Sequence, residues 1–192
     1  MTEYFLGTRE QISWGDENTF GTAVTPTEIV GKNVQIQNPN FSKGWIDVDT
    51  AGSDTREIES KEKGNKLYRF TLSFVPTSGK FLKYSSLGNI GTSGSDPYTH
   101  TLSLKNEVNS FTLEWAKRGN TNKVITLKGC VMKNVKLRFD SEGENGGFIR
   151  VEAECIAQDL STGSSVTSLS NVSKDGFQFR MVKLTVEGNE VK

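Results

Sequence analysis

The chain has almost none of the residues from which metal sites and catalytic nucleophile sites are built. It contains one histidine, His100, and two cysteines, Cys130 and Cys155. There is no Cys-x-x-Cys pair and no second histidine, so the usual spacing of a zinc site is missing. There is also no Gly-x-Ser-x-Gly nucleophile motif and no Gly-x-x-x-x-Gly-Lys phosphate loop. The sequence therefore predicts no catalytic residue, no metal site and no cofactor, and it favours a protein that is not an enzyme.

The chain also lacks a net charge, a long apolar run and the pattern of a secretory leader. Its 23 basic residues balance its 23 acidic residues, so no overall field would draw it onto nucleic acid or an anionic membrane. No apolar run approaches the roughly 18 residues that span a bilayer, and the N-terminus is not basic and then apolar. We therefore expect a protein kept in a cytoplasm, without a membrane partner. In that reducing compartment the two cysteines are expected to remain thiols.

Apolar residues are scarce, at 34% of the 192 residues, whereas glycine is abundant at 19. Ser, Thr and Asn crowd the stretches between the apolar runs, which favours many short strands over helices. A chain of this length can bury one sizeable core. We expect a single domain that spans residues 1–192.

The strongest β pattern lies in residues 123–158. Apolar side chains fall on the odd positions of residues 125–139, and a second run alternates in the same way over residues 149–157. Such alternation is typical of strands with one buried face, and the glycine-rich connector 141–147 lets the chain reverse. These features predict a long central β-hairpin. Gly129, which has apolar residues on the opposite phase beside it, predicts a β-bulge in the first arm.

The other runs predict a mainly β fold. Further strands are predicted at residues 33–37, 41–48, 67–75, 98–104, 110–117 and 177–186, with a hairpin joining the strands at 98–104 and 110–117. A short helix is predicted over residues 80–87, after Pro76, and a loop over residues 161–176. The expected architecture is two packed antiparallel sheets, a sandwich or a flattened barrel, with one short flanking helix and a long N-terminal arm.

The N-terminal arm, residues 1–31, has no long periodic run. It nevertheless contains Phe5, Trp14 and Phe20, which make it too apolar for a disordered tail. Such an arm needs a surface to pack on, either its own domain or a neighbouring copy, and the sequence leaves both open. We interpret the three aromatic residues as candidate contacts between subunits.

A polar stretch, residues 49–66, is too long for an idle connection in a compact domain. It is either a solvated loop or a protruding hairpin that docks on another subunit. We predict the second, with contacts between subunits. The charged residues proposed for that contact are Asp49, Asp54, Arg56, Glu57, Glu59, Lys61 and Glu62.

Four parts of the chain carry a resemblance to a known family. They are residues 17–23 (ENTFGTA), the strand that ends at Pro76 with the helix after it, residues 98–102 (YTHTL) with 110–114 (SFTLE), and residues 127–135 (LKGCVMKNV). In this order they resemble the opening, the middle and the central-hairpin strand of the tail tube proteins (major tail proteins) of long-tailed phages and related viruses. Many members of that family continue after a turn similar to residues 184–191, where this chain stops.

The resemblance implies a structural virion protein that assembles with itself. Such proteins form hexameric rings that stack into a hollow tube, bind other tail proteins and deliver DNA into the host. The DNA passes through without specific binding, which agrees with the balanced charge. The resemblance also implies location in the virion tail and assembly in the host cytoplasm. The alternative is a carbohydrate- or protein-binding β-sandwich module.

The inner wall of such a tube predicts a charge preference for the central hairpin. A basic wall would hold DNA by its phosphates and slow its passage, so an acidic or neutral wall is expected. We predict that Glu152 and Glu154, with acids of residues 47–62, face the channel and outweigh Lys128, Lys136 and Arg138.

Overall fold

A computed structural model of the chain describes residues 10–41, 43–48, 60–85, 88–95, 99–139, 147–170, 175–178, 185–186 and 189–190. The described residues form strands and one 3₁₀ helix, Gly79–Tyr84. The strands are β1 (Glu10–Asp16), β2 (Glu28–Ile29), β3 (Lys32–Asn40), β4 (Lys43–Val48), β5 (Ser60–Lys66), β6 (Tyr68–Val75), β7 (Asn89–Ser93), β8 (Thr99–Ser103), β9 (Phe111–Lys117), β10 (Lys123–Arg138), β11 (Arg150–Ala157), β12 (Asp159–Gly163), β13 (Thr185–Val186) and β14 (Asn189–Glu190). The predicted mainly β fold is confirmed.

Eight of the described strands form one antiparallel sheet. Seven follow the order β2-β1-β9-β10-β11-β6-β3, and the eighth, β12, pairs with β10 beside this path. Three smaller ladders, β4–β5, β7–β8 and β13–β14, are each two-stranded. The large sheet is folded on itself into two layers that share β10. We call β2, β1, β9, β12 and the first half of β10 the first layer, and the second half of β10 with β11, β6 and β3 the second layer.

The central hairpin predicted from the sequence is confirmed as the pair β10–β11. Its first arm is 16 residues long and changes partners along its length. From Lys123 to Leu127 it pairs with β9, and its pairing with β9 becomes irregular between Leu127 and Cys130. Gly129 lies inside that irregularity with a φ of 62°, a conformation that glycine adopts without strain. The predicted bulge is therefore present, and it marks the place where the strand passes from one layer to the other.

An aromatic cluster joins the two layers. Trp14 of β1 packs edge-on against Phe74 of β6, with 5.8 Å between ring centroids, and against Phe111 of β9 at 5.9 Å. Tyr84 at the end of the 3₁₀ helix lies 5.3 Å from the Trp14 ring. The four rings are at most 2% exposed. Edge-to-face packing of such large side chains makes this cluster the centre of the core.

The predicted flanking helix is shorter than expected and is of the 3₁₀ type. Ser78 caps it through a hydrogen bond in which the Ser78 hydroxyl accepts from the Lys80 N–H at 3.5 Å. The helix ends at Tyr84, where the Ser85 N–H donates to the Leu82 carbonyl. The helix ends before the predicted residue 87 because Ser85 has an extended backbone, with a ψ of −175°.

The predicted hairpin between residues 98–104 and 110–117 is wrong. The first of these strands, β8, pairs with β7, whereas β9 pairs with β1 and β10. The reason is burial, since the first four residues of β9 are all buried, on both faces of the strand. A strand covered on both faces belongs in the middle of a sheet, where it has a long partner on each side.

The described part of the N-terminal arm holds two strands, β1 and β2, with an irregular segment over residues 17–27 between them. Seven residues form β1, which pairs with β9 from Glu10 opposite Lys117 to Asp16 opposite Phe111. Trp14 is only 2% exposed, because it is buried in the core of its own subunit. The prediction that Trp14 contacts a neighbouring subunit is therefore wrong, since β9 and the second layer already bury it. Phe5 lies outside the described residues.

Candidate assembly surface

The Glu17 carboxylate holds the loop of residues 17–22 against Gly129, where β10 passes from the first layer to the second. Its Oε1 accepts from the Gly129 N–H at 2.9 Å and from the Thr112 hydroxyl at 2.8 Å. Its Oε2 accepts from the Ser110 hydroxyl at 2.8 Å and from the Gly21 N–H at 3.0 Å. One carboxylate thus accepts four hydrogen bonds from three segments of chain. We call this arrangement the Glu17 clamp.

Two glycines make the close approach at the clamp possible. Gly21 has a φ of 74° and Gly129 a φ of 62°, and a Cβ on Gly129 would lie 3.4 Å from the Gly21 Cα. The same Cβ would lie 2.8 Å from the Gln158 Cβ, which is too close for any side chain. The two motifs quoted from residues 17–23 and 127–135 therefore meet in space. Their glycines are required by this contact as well as by their backbone conformation.

Beyond the clamp, β10 has one free side. The last residue of β10 that pairs with β9 is Cys130, and residues 131–138 pair with β11 on the other side. In the part of the chain that the structure describes, no strand pairs with the opposite side of residues 131–138. An unpaired strand edge is a template for another strand, and native proteins usually cover or block it.

Exposed apolar side chains lie at the end of this free edge. Leu137 is 42% exposed and Phe139 is 50% exposed, although the sequence predicted both on the buried face. Leu137 lies opposite Val151, which is fully buried, so Leu137 is on the core-facing side as predicted. It remains exposed because the first layer ends near Cys130, and no described element covers the β10–β11 pair beyond that residue. The predicted burial of the odd positions therefore holds only in part, since Leu127 is buried, Val131 and Val135 are half-buried and Leu137 is exposed.

The opposite face of the second layer carries the predicted channel residues. Glu152 lies opposite Lys136 on β10, and its Oε2 accepts from Arg138 at 3.0 Å. Glu154, which is exposed, lies opposite Asn134. The alternate residues of β11, which include Val151 and Ala153, are buried in the core, so Glu152 and Glu154 point away from it.

Basic residues share this outer face. On β10 and β11 they are Lys136, Arg138 and Arg150, and on β6 Arg69 lies opposite Ile156. Lys133 of β10, which lines a surface pocket with Arg69 and Glu154, is a fifth basic side chain beside Glu152 and Glu154 on this face. On this face by itself the acids do not outnumber the bases, and any excess of acids has to come from elsewhere, such as residues 47–62. Lys128 belongs to the first layer, where it pairs with Asp159 at 3.3 Å.

The other border of the second layer is β3, which is irregular. Asn33 and Asn38 have positive φ angles of 50° and 48°. The pairing of β3 with β6 shifts between Lys32 and Gln35 and again after Gln37. The sequence also places Pro39, which has no N–H to donate, in this strand. Only the stretch between the two asparagines has the regular backbone that an added strand needs.

The polar stretch 49–66 ends in a strand. Residues 60–66 form β5, which pairs with β4 from Val48 opposite Ser60 to Lys43 opposite Lys66. The antiparallel ladder agrees with the hairpin alternative over residues 60–66, and the contact with another subunit stays a prediction. Lys61 and Glu62 lie in β5. The remaining predicted contact residues, Asp49, Asp54, Arg56, Glu57 and Glu59, lie outside the described residues.

An ionic cluster that the sequence did not predict holds the 3₁₀ helix on β1. Asp16 accepts from the Tyr84 hydroxyl and, at 2.9 Å, from the Lys83 ammonium group. Lys80 lies 3.6 Å from Asp16 and also pairs with Glu28, which accepts from the Trp14 indole N–H at 3.0 Å. The helix therefore docks through both its rings and its charges.

The cluster shifts the pKa values of its members. Burial acts to raise the pKa of Asp16, but the hydrogen bonds from Tyr84 and Lys83 outweigh it. The charge of Lys80 lowers the pKa of Asp16 as these hydrogen bonds do, so that pKa lies below its ordinary value of 3.8. Burial, with the Asp16 hydrogen bond next, raises the pKa of Tyr84 and keeps the phenol protonated. Sequence patterns gave no signal for this cluster because its members are far apart in the chain.

Both cysteines are free thiols and both are buried. Burial raises the pKa of Cys130 and of Cys155, so both thiols are kept protonated and are poor nucleophiles. Within the described residues no group of three or more His, Cys, Asp or Glu side chains could hold a metal ion. The described part of the chain also has no helix that is both long enough and apolar enough to cross a membrane.

No family model matches the chain, and no curated protein matches it either. Two solved structures are similar in fold. One is a chain of the PVC sheath–tube complex, an extracellular contractile injection system in its extended state, with a TM-score of 0.46, 13% identity, and coverage of 84% of this chain and 93% of that chain. The other is the cap that terminates the tube of the anti-feeding prophage, with a TM-score of 0.44, 13% identity, and coverage of 86% and 94%. At these scores and this identity the likeness says nothing about the function of this chain.

Proposed function

We propose that the chain is a structural subunit of a viral tail tube, which assembles with itself into stacked rings. The ring number of six comes from the sequence resemblance alone. The observation that carries the proposal is the free edge of β10, which ends in exposed Leu137 and Phe139. A monomer that leaves such an edge open invites aggregation, whereas a ring in which each copy covers the next leaves no edge open.

The charges on β10 favour a head-to-tail contact over a symmetric one. If two β10 edges paired with each other, Lys133, Lys136 and Arg138 of each copy would approach the same basic residues of the other. Like charges on facing strands are destabilising. A contact between β10 of one copy and a different surface of the next avoids this repulsion. Head-to-tail contacts close into rings or continue as helical filaments, and both can form a tube.

The β3 border is the complementary surface in this proposal. Its nine residues include a single charged side chain, Lys32, so it does not repel the basic edge of β10. The regular stretch between Asn33 and Asn38 is short enough to limit the added ladder to about four residues. Irregular backbone on both sides would then set where the neighbouring strand starts and stops.

The channel wall follows from this arrangement. When the second layers of neighbouring copies continue one another, their outer faces form one surface, on which Glu152 and Glu154 lie. In this proposal that surface lines the channel, and DNA passes along it without specific binding. Because its described residues hold at least five bases and two acids, a neutral or acidic wall requires the acids of residues 47–62 to contribute.

Another subunit is proposed to contact the β4–β5 hairpin and residues 49–59. The charged residues of this contact are Asp49, Asp54, Arg56, Glu57, Glu59, Lys61 and Glu62. Other tail proteins are proposed to bind the ends of the tube. The proposed location is the virion tail, with assembly in the host cytoplasm.

The test is assembly of the purified chain, measured by sedimentation velocity and negative-stain microscopy at rising protein concentration. Rings or tubes are expected. The variant Leu137→Lys, Phe139→Lys should stay folded, because both side chains are exposed, and should remain monomeric. A wild-type chain that stays monomeric at all concentrations contradicts the proposal, and binding of such a monomer to a glycan array would favour the β-sandwich binding module.

A further inference from the structure

The outer face of the second layer carries more basic than acidic side chains. Its described bases are Arg69, Lys133, Lys136, Arg138 and Arg150, and its described acids are Glu152 and Glu154. Five bases and two acids leave an excess of three positive charges. Arg138 is paired with Glu152 at 3.0 Å, so the other four bases share the face with one remaining acid. Since the whole chain has no net charge, the excess is a local feature of this face.

Two of these bases line one pocket of about 360 Å³ on this face. Arg69 of β6 lies opposite Ile156 of β11, and Lys133 belongs to β10, on the other side of β11. Strands that are two apart in a sheet are separated by roughly 10 Å, so both side chains can reach one group placed over β11. Arg69 and Lys133 are exposed, and neither forms an ion pair with another described residue. Both charges are therefore available to an anionic ligand.

The other side chains of the pocket favour backbone phosphates over other acidic partners. Thr71 and Asn38 line it, and both are residue types that bind phosphate beside Arg and Lys. The described strands of this face carry no exposed aromatic side chain, and Phe20, which is 57% exposed, does not line the pocket. Protein contacts are usually centred on aromatic residues, and single-stranded nucleic acid stacks on them. A polar and basic face without them fits the sugar–phosphate backbone of a duplex.

We infer that Arg69 and Lys133 bind the phosphate backbone of double-stranded nucleic acid, weakly and without sequence preference. The inference goes beyond the proposed function, because it describes a property of the single folded chain and does not require assembly. Phosphate contacts position a duplex but do not read its bases. Glu154, on the strand between the two bases, lines the same pocket, and its charge repels a phosphate. This acid therefore limits the affinity.

The experiment measures binding of two labelled duplexes of unrelated sequence by fluorescence anisotropy, at about 50 mM and about 200 mM salt. Both duplexes should bind equally, and binding should weaken as salt rises. Arg69→Gln, Lys133→Gln should weaken binding on the order of tenfold at the lower salt and reduce the salt slope by about two. Glu154→Gln should strengthen binding. The control, Lys105→Gln, Lys123→Gln, removes two exposed charges elsewhere and should leave the affinity nearly unchanged. Thermal unfolding of every variant should match the wild type.

The outcomes separate this inference from the proposed function. A monomeric chain that binds both duplexes supports the inference and contradicts the proposed function, whereas a chain that assembles but binds neither duplex at the lower salt overturns the inference alone. An equal loss in the control variant overturns it, because binding would then depend on total charge. Weaker binding by Glu154→Gln also overturns it. So does poly-glutamate that displaces the labelled duplex as well as unlabelled DNA does, because the face would then bind acidic protein chains.

Discussion

The Glu114 carboxylate holds Thr167 across the outer face of the first layer. Glu114 is 5% exposed, and its two oxygens accept from the Thr167 N–H at 2.9 Å and from the Thr167 hydroxyl at 2.7 Å. Gln11 donates to the Thr167 carbonyl at 2.8 Å. Three polar groups of one residue are thus recognised by two neighbouring strands. These three hydrogen bonds of Thr167 hold the segment after β12, residues 164–170, over the sheet.

Thr167→Val should release that segment while the sheet stays folded. It removes the hydroxyl and leaves one Glu114 oxygen without its donor, which costs about 1–3 kcal/mol of the free energy of unfolding. Amide hydrogen exchange of residues 164–170 should speed up, while exchange in β9 and β10 changes little. Ser168→Ala, at an exposed neighbouring position, is the control. Unchanged exchange in Thr167→Val would show that other contacts hold the segment.

Glu17→Ala should destabilise the monomer more than removal of an ordinary surface carboxylate. Four donors lose their acceptor, including the Gly129 N–H at the bulge. Since water can reach part of this half-buried site, we expect a loss of about 2–4 kcal/mol, measured by urea unfolding. Glu107→Ala, at an exposed position, should change stability by less than about 0.5 kcal/mol. Equal effects of the two substitutions would contradict the clamp.

Gly129→Ala should be poorly tolerated. Alanine at a φ of 62° is strained, and its Cβ would lie 2.8 Å from the Gln158 Cβ. We expect a loss of at least about 1–3 kcal/mol in the same unfolding measurement. Gly163→Ala is the matched control, because a Cβ there meets nothing within 4 Å. A Gly129→Ala variant as stable as Gly163→Ala would mean that β10 can pass between the layers without this conformation.

The ionic cluster predicts a loss of stability in acid. The pKa of Asp16 is lower in the folded chain than its ordinary value of 3.8, so its contribution is fully present above the unfolded-state pKa. It is lost as the pH falls through the folded-state pKa, that is, below about pH 4. Asp16→Asn should therefore be less stable than wild type at pH 7, and the difference should shrink towards pH 2.

The cluster also predicts the effect of removing one hydroxyl. Tyr84→Phe should cost about 1–2 kcal/mol at pH 7, because a half-exposed carboxylate is partly screened by water. Thermal unfolding of both variants from pH 2 to pH 7 measures these differences. A constant difference between Asp16→Asn and wild type across that range would show that the carboxylate charge does not stabilise the fold.

The channel proposal predicts a charge effect in assembled particles. Glu152→Lys, Glu154→Lys should make the particles retain DNA, with retention that weakens steeply as salt rises. Glu107→Lys, Asn106→Lys, Ser168→Lys changes the net charge by the same amount at exposed positions outside the second layer and serves as the control. Equal retention by the two variants would remove Glu152 and Glu154 from the channel wall.

Local patterns of residues were enough to predict the β character of the chain and its central hairpin. Period-two alternation on β6, β10 and β11 is a local property, and it decides which face of each strand is buried. Gly129 also signalled its bulge, because only glycine combines a positive φ with close contact of two backbones. These features depend on neighbours in the chain, so a reader of the sequence can find them.

The pairing partners of each strand, in contrast, depend on packing between segments that are distant in the chain. The segment 10–16 is too short and too interrupted by polar residues to stand out as a strand, and burial of Trp14 between two layers is what makes it β1. Pairing of β9 with β1 and β10 likewise reflects burial on both faces, which alternation of one face cannot reveal. The same limit applies to the polar contacts of Glu17, Asp16 and Glu114. Each joins residues distant in the chain, and a buried carboxylate is stable only where the fold supplies its donors.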